Sequence, residues 1–235
     1  MLRVPFASIT QHVTRRNMSA STGHQSKPPS AIPLADRVAE LRADLRGADP
    51  TILATRTGAV YRPLAGNQGE FELPFWDRAV TLSFPDFVAR DSANGSPLDV
   101  MSQAMLVYYF HDSDETALAH RWIAFSELPD GKFYTQAFQS YTGQALLQAF
   151  GDDAPAFEAA LQKAGGERLS FADVSYAFQV LPKVAMLAVC WLGDEDFPSS
   201  YRILFDASTS HHLPTEGCAI LGSMLTRKVI SARNA

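Results

Sequence analysis

Leu34, Val38, Leu41 and Leu45 recur at the three-to-four-residue spacing of one helix face, and Gly47 follows where a last turn can end. This spacing predicts a helix near residues 34–46. From 51 to 90 the pattern changes to short apolar runs, ILAT, AVYRPL, EFELPF and RAVTLSF, broken by Gly58, Gly66, Gly69, Pro74 and Pro85. These runs predict strands. Their close spacing predicts antiparallel hairpins, because a parallel crossover needs roughly a dozen connecting residues. PLDVMSQAMLVYYFH (97–111) returns to helical spacing through Leu98, Met101, Met105 and Tyr108 or Tyr109, with Pro97 suited to the first turn. RWIAF (121–125) predicts a short strand. Residues 133–150 are helical in spacing, with Thr142-Gly143 expected to split them into two helices and Thr142 to cap the second. Asp153-Ala-Pro-Ala opens a further helix that presents Phe157, Leu161 and Ala164 and stops at Gly165-Gly166.

KVAMLAVCWL (183–192) and SYRILFD (200–206) carry the strongest strand pattern, and the polar GDEDFPS between them predicts antiparallel pairing. The first is apolar on both faces, which places it at the centre of a sheet. The last element spans about Pro214 to Ile230, with Cys218, Ile220, Leu221, Met224 and Leu225 facing inward and Arg227 and Lys228 near the negative end of its dipole. These elements together predict an α+β domain over residues 34–231, with an antiparallel or mixed sheet and helices packed mainly on one face.

Composition narrows the function. The 235 residues are 46% hydrophobic with a net charge of −5, enough apolar material for one substantial core. A mildly acidic chain without a basic stripe argues against nucleic-acid binding, which needs clustered Lys and Arg. MLAVCWL is strand-sized, and no apolar run reaches the length of a membrane span. Cys190 and Cys218 form no C-x-x-C pair, and their usage fits a reducing, intracellular and most simply cytoplasmic setting better than a disulfide between them. Residues before Asp36 contain no acid, and Arg3, Arg15, Arg16 and Lys27 leave them basic and rich in hydroxyls. That composition fits an organellar targeting segment or a disordered tail over residues 1–33, with SKPPSAIP (26–33) as a linker, and Met18 offers a second start.

No phosphate-binding loop, dinucleotide fingerprint, HExxH or GxSxG motif is present, so no cofactor is named by a motif. HDSDETALAH (111–120) brings Asp112, Asp114 and Glu115 within reach of a cation but lacks the glycine and distal glutamate of an EF-hand loop. It reads most simply as a solvated acidic loop. GDEDFP (193–198) reads as a turn rich in acids, with Asp194 or Glu195 as acid–base candidates at a sheet end. DASTSHHLPTEGC (206–218) joins the strong strand to the last helix and concentrates Asp206, Ser208, His211, His212 and Glu216. Helix N-termini offer free N–H groups to such loops. His211 and His212 are adjacent, so extended geometry sends them opposite ways, and they lack the spacing of two metal ligands on one helix.

SELPDGKFYTQAF (126–138), AFGDDAPAFEAA (149–160) and WLGDEDFPSSYRILFDASTSHHLPTEG (191–217) resemble a prokaryotic family known only as a domain of unknown function. Trp122, Glu127-Leu-Pro129, Gly131, Phe133-Tyr134, Gly193-Asp-Glu195, Phe197-Pro198, Phe205-Asp206, Ser208 and Leu213-Pro-Thr-Glu216 carry the resemblance. The family is prominent in anaerobes and has no established activity. Some members are fused to an iron–sulfur domain, which implies a link to redox or corrinoid metabolism.

The sequence thus points to a soluble ligand- or cofactor-binding accessory domain, with a small molecule or a protein as partner. Asp194, Glu195, Asp206, Ser208, His211 and Glu216 are expected to line one polar site, with Glu127 and Tyr134 outside it. Two other readings stay open. One is metal-assisted or acid–base hydrolysis through His211 or His212, which would be the metal ligand if there is one. The other is an interaction module that assists assembly of a metalloenzyme.

Overall fold

The computed structural model describes residues 33–234, so the expected tail, targeting segment and linker before Pro33 lie outside the described residues. Helix α1 (Leu34–Leu45) forms where the apolar spacing places it and buries Val38, Leu41 and Leu45. ILAT, expected as a strand, lies instead in helix α2 (Pro50–Thr57). The reason is local. The Asp49 carboxylate accepts from the Thr51 and Ile52 N–H groups, Pro50 presets the first turn, and Gly58 ends the helix at φ 69°.

Strands β1 (Val60–Pro63), β2 (Gly69–Phe75), β3 (Arg78–Phe84) and β4 (Ala89–Asp91) follow as an antiparallel sheet in sequence order. Helix α3 (Val100–Asp112) is capped by Asp99, which bonds to the Met101 and Ser102 N–H groups. Pro97 is therefore not in its first turn as expected. It makes an isolated bridge with Arg90.

After strand β5 (Trp122–Ala124) come helices α4 (Gly131–Tyr141) and α5 (Gly143–Phe150). They part at Thr142 as anticipated, but Thr142 is no cap, since its hydroxyl donates back to the Phe138 carbonyl at 2.6 Å. Helix α6 (Ala154–Lys163) is capped by Asp153. A second sheet has the order β5-β9-β8-β7-β6, with β6 (Glu167–Arg168), β7 (Val174–Leu181), β8 (Val184–Trp191) and β9 (Ser200–Asp206), every pair antiparallel. Helix α7 (Thr215–Asn234) closes the described chain.

The architecture is α+β with antiparallel sheets, and the single expected sheet is two. Strand β8 is central, as its two apolar faces require. Its alternate residues Val184, Met186, Ala188 and Cys190 join the main core with residues from the helices. Leu187 and Val189, on the other face, form a small cluster with Leu204 to which no helical residue contributes. The helices of the second half therefore lie on one face of the larger sheet. Both cysteines are buried free thiols, and burial pushes the Cys218 thiol up to about 12.

Candidate functional site

Strand β9 decides which of the expected site residues meet. The turn with Asp194 and Glu195 precedes it and the loop with Asp206 follows it, so a strand of seven residues, roughly 20 Å long, separates them. A single site lined by all six residues does not form. At the first end, Asp194 Oδ1 accepts from the Asp196 and Phe197 N–H groups, both at 2.9 Å, which makes it a turn former. Glu195 is exposed there. Glu127 accepts from the Ala124 N–H at 2.7 Å and closes a short turn before α4, while Tyr134 stands 62% exposed on α4.

At the other end of β9, two loops that are far apart in sequence lie together. The 113–121 loop feeds β5, and β5 pairs with the last residues of β9, Trp122 opposite Asp206. Asp206 is buried, and its Oδ1 accepts from the Ala119 N–H (2.9 Å), the Ser208 N–H (2.9 Å) and the Ser208 hydroxyl (2.6 Å). Burial pushes this carboxyl up, but those bonds and the nearby His120 N–H outweigh it, and the net shift is downward. Asp206 and Ser208 thus form a clamp that ties one loop to the other.

The chain then makes a short 3₁₀ turn over Thr209–His211. His211 is half exposed, with Nδ1 2.8 Å from Asp114 Oδ2 and 3.2 Å from the Thr116 hydroxyl. A carboxylate at Nδ1 holds the proton on that nitrogen and leaves Nε2 for proton exchange. Thr116, through its hydroxyl and N–H and then with His211, holds the Asp114 carboxyl well below the usual carboxylate range. Lys183, in the turn between β7 and β8, donates from Nζ to the Asp114 carbonyl at 3.1 Å. Its N–H reaches the Tyr109 hydroxyl at 3.2 Å, and that hydroxyl donates to the Thr57 carbonyl at 2.6 Å.

His212 points the other way, into the protein, and is fully buried against Tyr109, the ring centroids 6.2 Å apart. The Thr116 carbonyl faces it, yet neither ring nitrogen completes a hydrogen bond. The Ser113 and Thr209 hydroxyls are likewise buried without partners. Buried polar groups normally find a partner in protein or ordered water, so three such side chains on two touching loops set this junction apart from the rest of the core. Burial pushes the imidazole down and keeps it neutral, with Asp114 opposing and Lys183 adding to the shift. Glu216 sits apart from this cluster, in the first turn of α7, 3.4 Å from the Tyr108 hydroxyl.

Residues 49–228 match the family described as Domain of unknown function (DUF3786). The chain belongs to this family. No curated protein and no solved structure matches it. Within the DUF3786 domain, the sequence reasoning singled out His211, His212, Asp206 and Ser208 and treated Asp114 as part of a separate acidic loop. Lys183, Tyr109, Ser113 and Thr116 were not anticipated. None has a local motif, and only the sheet topology brings them to one end. Among the described residues, no three His, Cys, Asp or Glu side chains gather to hold a metal ion, and no helix is long and apolar enough to cross a membrane.

Proposed function

We propose that this domain binds a small acidic molecule at the junction of the 113–121 and 206–214 loops. The observation that carries the reading is His212, fully buried with both ring nitrogens unpartnered, beside two orphan hydroxyls. Its neutral ring offers one donor and one acceptor. Lys183, whose ammonium keeps donors beyond its bond to the Asp114 carbonyl, favours an acidic group over a neutral one. No described residue carries the redox or corrinoid setting implied by the resemblance, and charge alone defines the ligand.

Titration of the full chain with acetate, succinate, citrate and inorganic phosphate, followed through the histidine ring ¹H–¹⁵N resonances, tests this. At least one should move the His212 and His211 signals saturably, and Lys183→Met should abolish the response. Signals that ignore all four anions would overturn the reading.

A second reading rests on a separate observation, the 2.8 Å Asp114–His211 pair with the outer imidazole nitrogen turned away from the carboxylate. This arrangement suits a general acid–base. It supports acid–base hydrolysis as the alternative activity, with His211 as base and Asp114 as its orienting group. Hydrolysis of a generic ester, lost in His211→Gln and retained in His212→Gln, would favour it over pure binding.

A further inference from the structure

The hairpin between β2 and β3 turns through only two residues, Trp76 and Asp77. Trp76 has φ 58°, a backbone conformation that two-residue hairpins give to glycine or asparagine. A bulky residue there is an outlier, and such strain gathers at functional positions. The turn is held firmly, because the Trp76 N–H donates to the Val180 carbonyl of β7 at 2.9 Å. The indole is partly buried, with one part packed against the core beside Phe75 and the rest open to solvent.

Trp76 borders two adjoining cavities of about 350 and 330 Å³. Gly165, Glu167, Phe178, Gln179 and Lys228 line the larger one. Trp76, Asp77 and Lys228 border both. Lys228 Nζ lies 2.9 Å from Asp77 Oδ2. An ammonium has three donors, so two remain for a ligand. Glu167 makes no ion pair among the described residues. The larger cavity thus holds the Lys228–Asp77 pair with ammonium donors to spare, the separate Glu167 carboxylate and an aromatic wall. A simple anion would meet Glu167, and a simple cation would compete with Lys228. A zwitterion meets both. The volume lies at the lower end of the range for small-molecule pockets, about 300–1,000 Å³, which suits a small metabolite rather than a dinucleotide.

We propose that this cleft binds a free α-amino acid, its carboxylate held by Lys228, its ammonium by Glu167 and its side chain against Trp76. The site is distinct from the His212 junction and does not depend on it. Calorimetric titration of the full chain with each of the twenty amino acids is the test. At least one should bind saturably at millimolar concentration or below, and its methyl ester and N-acetyl forms should not. Glu167→Gln, Lys228→Met and Trp76→Asn should each weaken it tenfold or more. Asparagine tolerates the positive φ but gives up the indole's core contacts, so a Trp76→Asn protein with the wild-type circular dichroism spectrum and a cooperative thermal transition separates lost binding from lost folding. If no amino acid binds, or if binding survives Trp76→Asn, the assignment is wrong.

Discussion

Asp114 and His211, 97 residues apart in sequence, meet at 2.8 Å because β5 and β9 pair and carry their loops to one sheet end. Thr116 contributes more than His211 to the low pKa of Asp114. Thr116→Val removes the largest single cause, the hydroxyl bond, and should raise that pKa toward the ordinary 3.8, as read from the Asp114 carboxyl ¹³C shift during acid titration. Asp114 and His211 are about half exposed, so breaking their pair in His211→Ala should cost less than about 1 kcal/mol of stability.

His212 makes stability depend on pH in a predictable direction. Its folded pKa lies below the 6.5 of the unfolded ring, first through burial and then through Lys183 and His211, with Asp114 and the Thr116 carbonyl opposing. The unfolded state binds the extra proton in the interval between the two values, so the stability due to neutral His212 is complete above about pH 6.5 and falls as pH drops toward the folded pKa. Thermal midpoints should decline between about pH 7.5 and pH 5.5 in the wild type. His212→Phe, which cannot titrate, should show a shallower decline. Equal slopes for the two proteins would place the proton elsewhere.

Asp206 is a structural anion rather than a reacting one. Removing its carboxylate in Asp206→Ala strands two buried Ser208 donors and the part-buried Ala119 N–H and should cost about 2–4 kcal/mol, measured by urea denaturation. Ser208→Ala removes one of those bonds and should cost about 1 kcal/mol. The folded pKa of Asp206 is depressed from 3.8, so this stabilisation is present above that value and is lost as pH falls through the folded one.

Hydrophobic spacing carried much of the fold. β8 and β9 were legible because their apolar runs are long and their polar link is short. ILAT was misread because its β-branched residues outweighed the Asp49-Pro50 start that in fact nucleates α2. Strand β7 was passed over, although VSYAFQVL alternates and buries Val174, Tyr176, Phe178 and Val180 on one face. The site was legible only in parts. Adjacency correctly sends His211 and His212 to different environments, one exposed and one buried. Their partners are not legible, because Asp114 and Lys183 arrive through strand pairing, which leaves no mark at their own positions. The expected convergence of Asp194 with Asp206 failed for the same reason in reverse, since residues near in sequence are held apart by an extended strand.

The break between α4 and α5 gives a final test of how the helices seat on the larger sheet. Gly143 opens α5 where the chain passes directly over β9, and a Cβ at this position would run into the Tyr201 carbonyl oxygen and the Gln139 amide. That amide donates to the same carbonyl at 2.8 Å, so it cannot swing away without leaving the oxygen short of a partner. Backbone on the far side cannot yield either, because Tyr201 pairs with Cys190 in the central strand. Gly143→Ala should therefore lower stability by about 1–3 kcal/mol despite alanine's higher helix propensity. Gly47→Ala is the matched control. Nothing lies within 4 Å of a Cβ at Gly47, so the smaller entropy of the unfolded chain should leave that variant neutral or slightly stabilised. Denaturation of the two variants side by side checks this, and a Gly143→Ala protein as stable as Gly47→Ala would mean that α5 leaves room for a Cβ above the Tyr201 carbonyl.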